Sequence, residues 1–160
     1  MNRNLISGLV AVAVAAAIQA FAGDLVEIET IAEVEIEVVN QEGETEIRRV
    51  TAEKVVPGDE VVYTIVYRNV GDEPAEALVI TNPIPEHMAF SRLSEREGSD
   101  RILFSVDGGT TYDHPENLRI VEADGTVRAA RPSDYTHVRW SVERLLPLAT
   151  GRVSYRARLL

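Results

Sequence analysis

At 160 residues and a formal net charge of −10, the chain has room for one domain, and its excess negative charge repels nucleic acid and anionic lipid. It holds no cysteine, which excludes disulfides and lipid attachment through a thiol; a domain of this length buries enough surface to do without such staples. Lys54 is the sole lysine, and no low-complexity stretch, Pro/Gly/Ser-rich linker or internal repeat interrupts the chain.

The first element expected is a leader. Arg3 and the amino terminus give a positive start, Leu5 to Ile18 an apolar run, and Ala20-Phe21-Ala22 places small residues at −1 and −3 before Gly23, the order of a secretory cleavage site. The run is interrupted by Ser7, Gly8 and Gln19 and falls short of the roughly 20 apolar residues a membrane span needs. Residues 1–22 are therefore read as a cleavable signal-peptide helix and residues 23–160 as a single exported domain.

That domain reads as strands. From Val26 to Val38 the even positions are Val, Ile, Thr, Ala, Val, Ile and Val, while the odd ones are Glu except at Ile31. Period two marks a strand with one dry and one acidic face. Its length predicts a kink or change of sheet at Ile31, and residues 25–39 are read as an N-terminal strand long enough to be extended or exchangeable. Val61–Tyr67 is β-prone on both faces, as a central strand requires. Asn69–Asp72 turns the chain into a strand at Ala77–Thr81, which Asn82-Pro83-Ile84-Pro85 closes because proline cannot join a central ladder.

Glu86–Glu97 is the nearest approach to a helix and is expected to hold one short turn. Ile102–Val106 leads into Asp107-Gly108-Gly109, a hairpin turn in which glycine supplies positive φ without strain. Asp124-Gly125 turns a second hairpin between Leu118–Val121 and Thr126–Ala129. Val138–Val142 and Val153–Leu159 alternate as half-buried strands. Short strands divided by turn signals, with no helix-length amphipathic stretch after the leader, predict an all-β fold: an immunoglobulin-like antiparallel β-sandwich.

Val56-Pro57-Gly58-Asp59-Glu60-Val61-Val62-Tyr63-Thr64-Ile65, followed by Tyr67-Arg68-Asn69-Val70-Gly71-Asp72, resembles the bacterial conserved surface-repeat family called domain of unknown function 11. Pro74–Ala77, Ile80–Pro85, Phe104–Gly109, Arg139-Trp140 and Leu148–Val153 extend the resemblance over roughly residues 33–160. It implies an immunoglobulin-like module of cell-surface or extracellular proteins with structural or adhesive roles and no catalysis. The family often occurs as tandem copies in long anchored proteins, whereas one copy is read here.

Residues with chemistry are sparse. His87, His114 and His137 are not spaced as metal ligands. Ser91, Ser94, Ser99 and Ser105 lie in turn-like or strand-edge settings without an activated-serine motif. Catalytic, cofactor and metal sites are each expected to be absent. The row Glu27, Glu29, Glu33, Glu35 and Glu37 is read as mutual repulsion that discourages edge pairing, with weak calcium binding or steering of a basic partner as the functional alternative. Asp107-Gly108-Gly109 with Asp113 lacks the spacing of a calcium-binding EF-hand loop. Tyr63, Tyr67, Phe104, Trp140 and Tyr155 are assigned to the core; Tyr112 and Tyr135 are the candidates for exposure.

Taken together, the expectation is an acidic, non-enzymatic, secreted module with a structural or adhesion-like role at a bacterial cell envelope, in the periplasm, at the surface or outside. Its partner is a protein or another copy of itself, not nucleic acid, with no stable membrane insertion once the leader is removed. The first alternative is a subunit that assembles into filaments or oligomers by N-terminal strand exchange. The second is a carbohydrate-binding module using Tyr112, Tyr135 or His114.

Overall fold

Nine pairs of residues, from Val26↔Asn69 to Val34↔Val61, join the acidic N-terminal strand to the apolar central one. In the computed structural model, which describes residues 25–94 and 102–160, the strands are β1 (Val26–Val39), β2 (Thr45–Thr51), β3 (Glu60–Asn69), β4 (Ala75–Pro83) and β5 (Met88–Leu93). They are followed by β6 (Ile102–Ser105), β7 (Arg119–Val121), β8 (Val127–Ala129), β9 (His137–Leu145) and β10 (Thr150–Leu159). The leader expected at residues 1–22 lies outside the described residues, as does Ser99.

The strands form a five-stranded sheet in the order β2-β1-β3-β10-β5 and a three-stranded sheet in the order β4-β9-β6, with β7 and β8 as a separate hairpin. All pairings are antiparallel. Alternate residues of β3 and β10 point inward and meet the inward residues of β4, β9 and β6. Val61, Tyr63, Ile65, Leu78, Ile80, Val138, Trp140, Val153 and Tyr155 are all buried there. The all-β antiparallel sandwich is thus as expected, and Tyr63, Tyr67, Phe104, Trp140 and Tyr155 all lie in its core.

Aromatic packing ties the layers together. Tyr63 and Tyr155, cross-strand neighbours, stack at 5.1 Å. Phe90 meets Phe104 edge-on at 5.0 Å across the sheets, and Phe104 stacks on Tyr135 at 4.5 Å. Each such pair adds about 1 kcal/mol beyond simple area burial. Two polar groups in this core satisfy each other: Asn82 Nδ2 donates to the Tyr155 hydroxyl and to the Pro83 carbonyl, and the Tyr155 hydroxyl donates to that same carbonyl.

The turns follow their sequence chemistry. Val56-Pro57-Gly58-Asp59 closes with Asp59 N–H donating to the Val56 carbonyl, and Gly58 has φ +100°, the left-handed value that the third residue of a type II turn requires. Asn69 does more than turn the chain. Buried, its side chain accepts from Gly71 N–H and donates to the Glu73 and Leu145 carbonyls, fastening the β3–β4 turn to the end of β9.

Two expectations are corrected. β1 neither kinks into the other sheet nor changes sheet at Ile31; it stays in one sheet and changes neighbour. Residues 26–34 pair with β3, and residues 33–39 pair with β2. Ile31 faces outward opposite Thr64, in the middle of the β3 pairing, where an apolar side chain is tolerated among β-branched neighbours. Over Met88–Leu93 the segment Glu86–Glu97, expected to hold a short turn, is instead the strand β5, which adds to β10 and sends Met88 and Phe90 into the core, while residues 95–97 lie outside the described residues. Burial of those two alternate side chains overrides the local helix preference of Met and Ala.

Candidate interaction surfaces

The outer face of the large sheet carries a chain of ion pairs. Glu35 on β1 accepts from Arg49 Nε on β2 at 3.1 Å and from Arg156 on β10, which reaches over β3 to do so. Arg156 Nη1 also donates to Glu60 at 3.2 Å, and Glu60 in turn accepts from Arg92 and from the Ser91 hydroxyl on β5. One belt therefore touches all five strands. Below it lies Val62, outward-facing yet fully buried, paired with Glu33 on one side and Arg156 on the other. The bidentate Arg156 contact holds the Glu35 carboxyl at about 2, well below its ordinary 4.5, against a smaller opposing effect of burial. For Glu60, burial pushes upward, but the Ser91 hydroxyl and the two arginines outweigh it and leave the carboxyl lowered.

The acidic row is therefore not uniform. Glu35 is neutralised by two arginines, whereas Glu27 and Glu29 are exposed and make no ion pair among the described residues. Glu33 and Glu37 likewise make no ion pair among the described residues, so of the whole row only Glu35 is relieved of repulsion by arginine.

On the outer face of the small sheet, the Asp107–Asp113 loop folds back over β9. Asp107 accepts from the Ser105 hydroxyl, from Thr110 N–H, and from both the N–H and hydroxyl of Thr111. These bonds, the Thr111 hydroxyl first, hold its carboxyl far below the usual range. Gly108 and Gly109 adopt φ +73° and +86°, and at Gly109 a Cβ would come within 2.9 Å of the Tyr112 hydroxyl and 3.2 Å of His137. The chain then returns to bridge Phe104 with Asp113. Tyr112 is half-buried, with the Arg139 guanidinium 3.4 Å above its ring centroid and His137 edge-on at 6.4 Å. Arg139 Nε also donates to Thr81 Oγ1 on β4 at 3.3 Å.

Beyond Thr81 and Arg139 the same face dips into an open hollow of about 340 Å³, lined by Ala77, Val79, Ser141, Val142 and Glu143. It opens where the β4–β9 ladder lapses at Ala77, an alanine in the left-handed region at φ 51°.

The candidates named from sequence fall as follows. Tyr135, expected to be exposed, is only 7% exposed: the 3-10 turn Pro132–Asp134 swings it inward onto Phe90 and Phe104. It offers no surface to a sugar. Tyr112 keeps one ring face for Arg139. His114 is half-buried in its loop, and His87 is exposed at φ 66°. His137 is half-buried beneath the loop, its Nδ1 3.1 Å from Thr136 Oγ1, and burial lowers its basicity. Ser105 Oγ is engaged with Asp107 and Gly109, and Ser91 with Glu60. Among the described residues no three His, Asp or Glu side chains converge as metal ligands. Comparison with family models, with curated proteins and with solved structures finds no match.

Two features escaped the sequence reading. The belt around Arg156 joins strands far apart in the chain, so no local spacing announces it. The other is a free strand edge. Val70 N–H donates to the Leu25 carbonyl at 2.7 Å, and Ala52 N–H donates to the Ala32 carbonyl at 3.0 Å. In an antiparallel ladder successive residues bond to opposite sides, so odd-numbered residues of β1 bond to β3 and even-numbered ones face β2. β2 stops at Thr51, opposite Glu33. Val26, Ile28 and Thr30 thus direct their backbone N–H and C=O groups to an edge that no described strand covers.

Proposed function

We propose that this protein is an exported, non-enzymatic β-sandwich module whose role at a bacterial envelope, in the periplasm, at the surface or outside, is structural or adhesive, in the manner of the surface-repeat modules it resembles. The observation that best supports binding over catalysis is the state of the polar side chains a hydrolase would need. Ser105, Asp107 and Ser91 are committed to holding a loop and a sheet together. A nucleophile needs a base within hydrogen-bond reach and a cleft in front of it. These serines bond to carboxylates that are themselves bound by other donors.

The test is in-cell cross-linking followed by fractionation and mass spectrometry. The expected product begins at Gly23, is recovered outside the cytoplasm, and is cross-linked to a protein partner. Material with its leader intact in the cytosol, or turnover of an ester, peptide or glycoside substrate by the pure protein, overturns the proposal.

Self-assembly by exchange of the N-terminal strand is the second reading, favoured by one observation. None of the side chains of β1 is fully buried, although Val61, Val62, Tyr63, Ile65, Tyr67 and Asn69 of its partner β3 are, so β1 leaves at less cost in buried surface than the central strand it pairs with. Concentration-dependent oligomers that vanish on deleting residues 24–30 would support it. A monomer at high concentration, unchanged by that deletion, would dismiss it.

A further inference from the structure

We infer that the free edge of β1, from Val26 to Ile31, is a docking site for an extended peptide segment of a partner protein in which basic and apolar residues alternate. The inference rests on the interaction role proposed above and names the surface and the chemistry of what it binds.

The edge offers three N–H and three C=O groups, those of Val26, Ile28 and Thr30, over a stretch of about 14 Å. An incoming strand would lie roughly 4.8 Å away and bond to these groups as a sixth member of the sheet. Its side chains would then alternate between the two faces. Those pointing outward stand beside Glu27 and Glu29, exposed carboxylates with no ion pair among the described residues. Those pointing inward stand beside Val26 and Ile28, which pack against the core without being fully covered. Thr30 Oγ1, on the same inward row, is buried with no hydrogen-bond partner among the described residues.

The protein already contains a worked instance of this recognition. Along the other half of the same strand, β2 places Arg49 opposite Glu35, with an ion pair at 3.1 Å, and Val50 opposite Val34. The proposed ligand continues the line of β2 past the point where Ala52 turns away. Charge also selects against a second copy of this chain: two β1 edges laid antiparallel bring glutamate rows together, and like charges directly opposite destabilise a pairing. An acidic protein with an acidic edge favours a basic strand through both the local pairing and the long-range field.

The experiment is amide hydrogen exchange of the purified protein with and without a seven-residue capped peptide of alternating valine and arginine. Saturating peptide should slow exchange at Val26, Ile28 and Thr30 by about tenfold or more, while amides of Glu27 and Glu29, already bonded to β3, change little. A peptide of identical composition, with its valines and arginines in two blocks, should give no such protection. The double variant Glu27→Arg/Glu29→Arg should lose the arginine peptide at least tenfold in affinity and gain its valine–glutamate counterpart. Equal protection by the blocked peptide, or no protection by the alternating one, overturns the inference without recourse to any variant. A protein that is exported and cross-linked to a partner while these amides never slow would refute this edge and leave the interaction role intact. Edge protection in a protein retained in the cytosol would do the reverse.

Discussion

Arg156 on β10 reaches across β3 and grips both carboxylate oxygens of Glu35 on β1, at 2.9 and 2.6 Å. The contact spans an intervening strand, so it couples two strands that share no backbone bond. Glu35 titrates at about 2 in the folded chain and near 4.5 without its partners. A carboxyl depressed on folding stabilises above the unfolded pKa and ceases to do so as pH falls through the folded one. The contribution is thus complete above about pH 5, falls away below it and is gone by about pH 1. Because the carboxylate is partly exposed, solvent screening reduces it to about 1 kcal/mol. Glu35→Gln is expected to cost that amount at pH 7 and only a small part of it at pH 2, measured by urea denaturation at both.

Gly151 faces Tyr67 across the β10–β3 pairing, and a Cβ there would sit 2.3 Å from the tyrosine ring. Gly151→Ala should therefore destabilise the fold by about 2 kcal/mol through overpacking. Tyr67→Leu made alongside it should recover part of the loss. Denaturation of the single and double variants checks both statements, and additive losses would show that the ring is not what excludes the methyl group.

Tyr63 and Tyr155 stack on each other but differ in their hydroxyls. That of Tyr155 accepts from Asn82 and donates to the Pro83 carbonyl, whereas that of Tyr63 has no partner among the described residues. Burial pushes the Tyr63 phenol up to about 12 and the Tyr155 phenol higher still. Tyr155→Phe is expected to cost about 1.5 kcal/mol, because Asn82 loses an acceptor in a dry setting. Tyr63→Phe should cost nothing or stabilise slightly. Equal losses from the two variants would contradict this assignment.

The Asp107 loop should ignore calcium. Both carboxylate oxygens already accept hydrogen bonds from Thr111, and one of them also from Ser105 and Thr110. Binding a cation that takes six to eight oxygens would require breaking those bonds. Melting curves with millimolar calcium and with chelator should superimpose; a rise in Tm with calcium that Asp107→Asn abolishes would contradict the prediction.

Alternation made most of the fold legible. β10 buries every second side chain from Val153 to Leu159, β3 does so from Val61 to Asn69, and β9 does so at Val138 and Trp140, so oil and water dictate their period. β2 escaped because Thr45–Thr51 buries nothing: Ile47 is 69% exposed, and the strand is held by its register on β1. β5 was hidden behind the helix-favouring company of Met88 and Ala89, although Met88 and Phe90 alternate in burial as any strand would. Tyr135 was misplaced for a different reason. Its neighbours Ser133, Asp134 and Thr136 are polar, and only packing on Phe90 and Phe104, distant in the chain, reveals which way it turns. The belt around Arg156 and the open edge of β1 share that origin, since both depend on which strands become neighbours.

β1 and β10 flank β3 and run in the same direction, each against it over nine pairs, so Val26 and Leu159 sit at opposite ends of the sheet. Tension applied between those two points slides the outer strands along β3 instead of peeling them away one bond at a time. The two ladders carry the load in series, so the bonds of one of them must yield nearly at once, and survival under force is governed by the rate of that single event. A sandwich tethered in this way would resist drag from flowing medium far better than its equilibrium stability suggests.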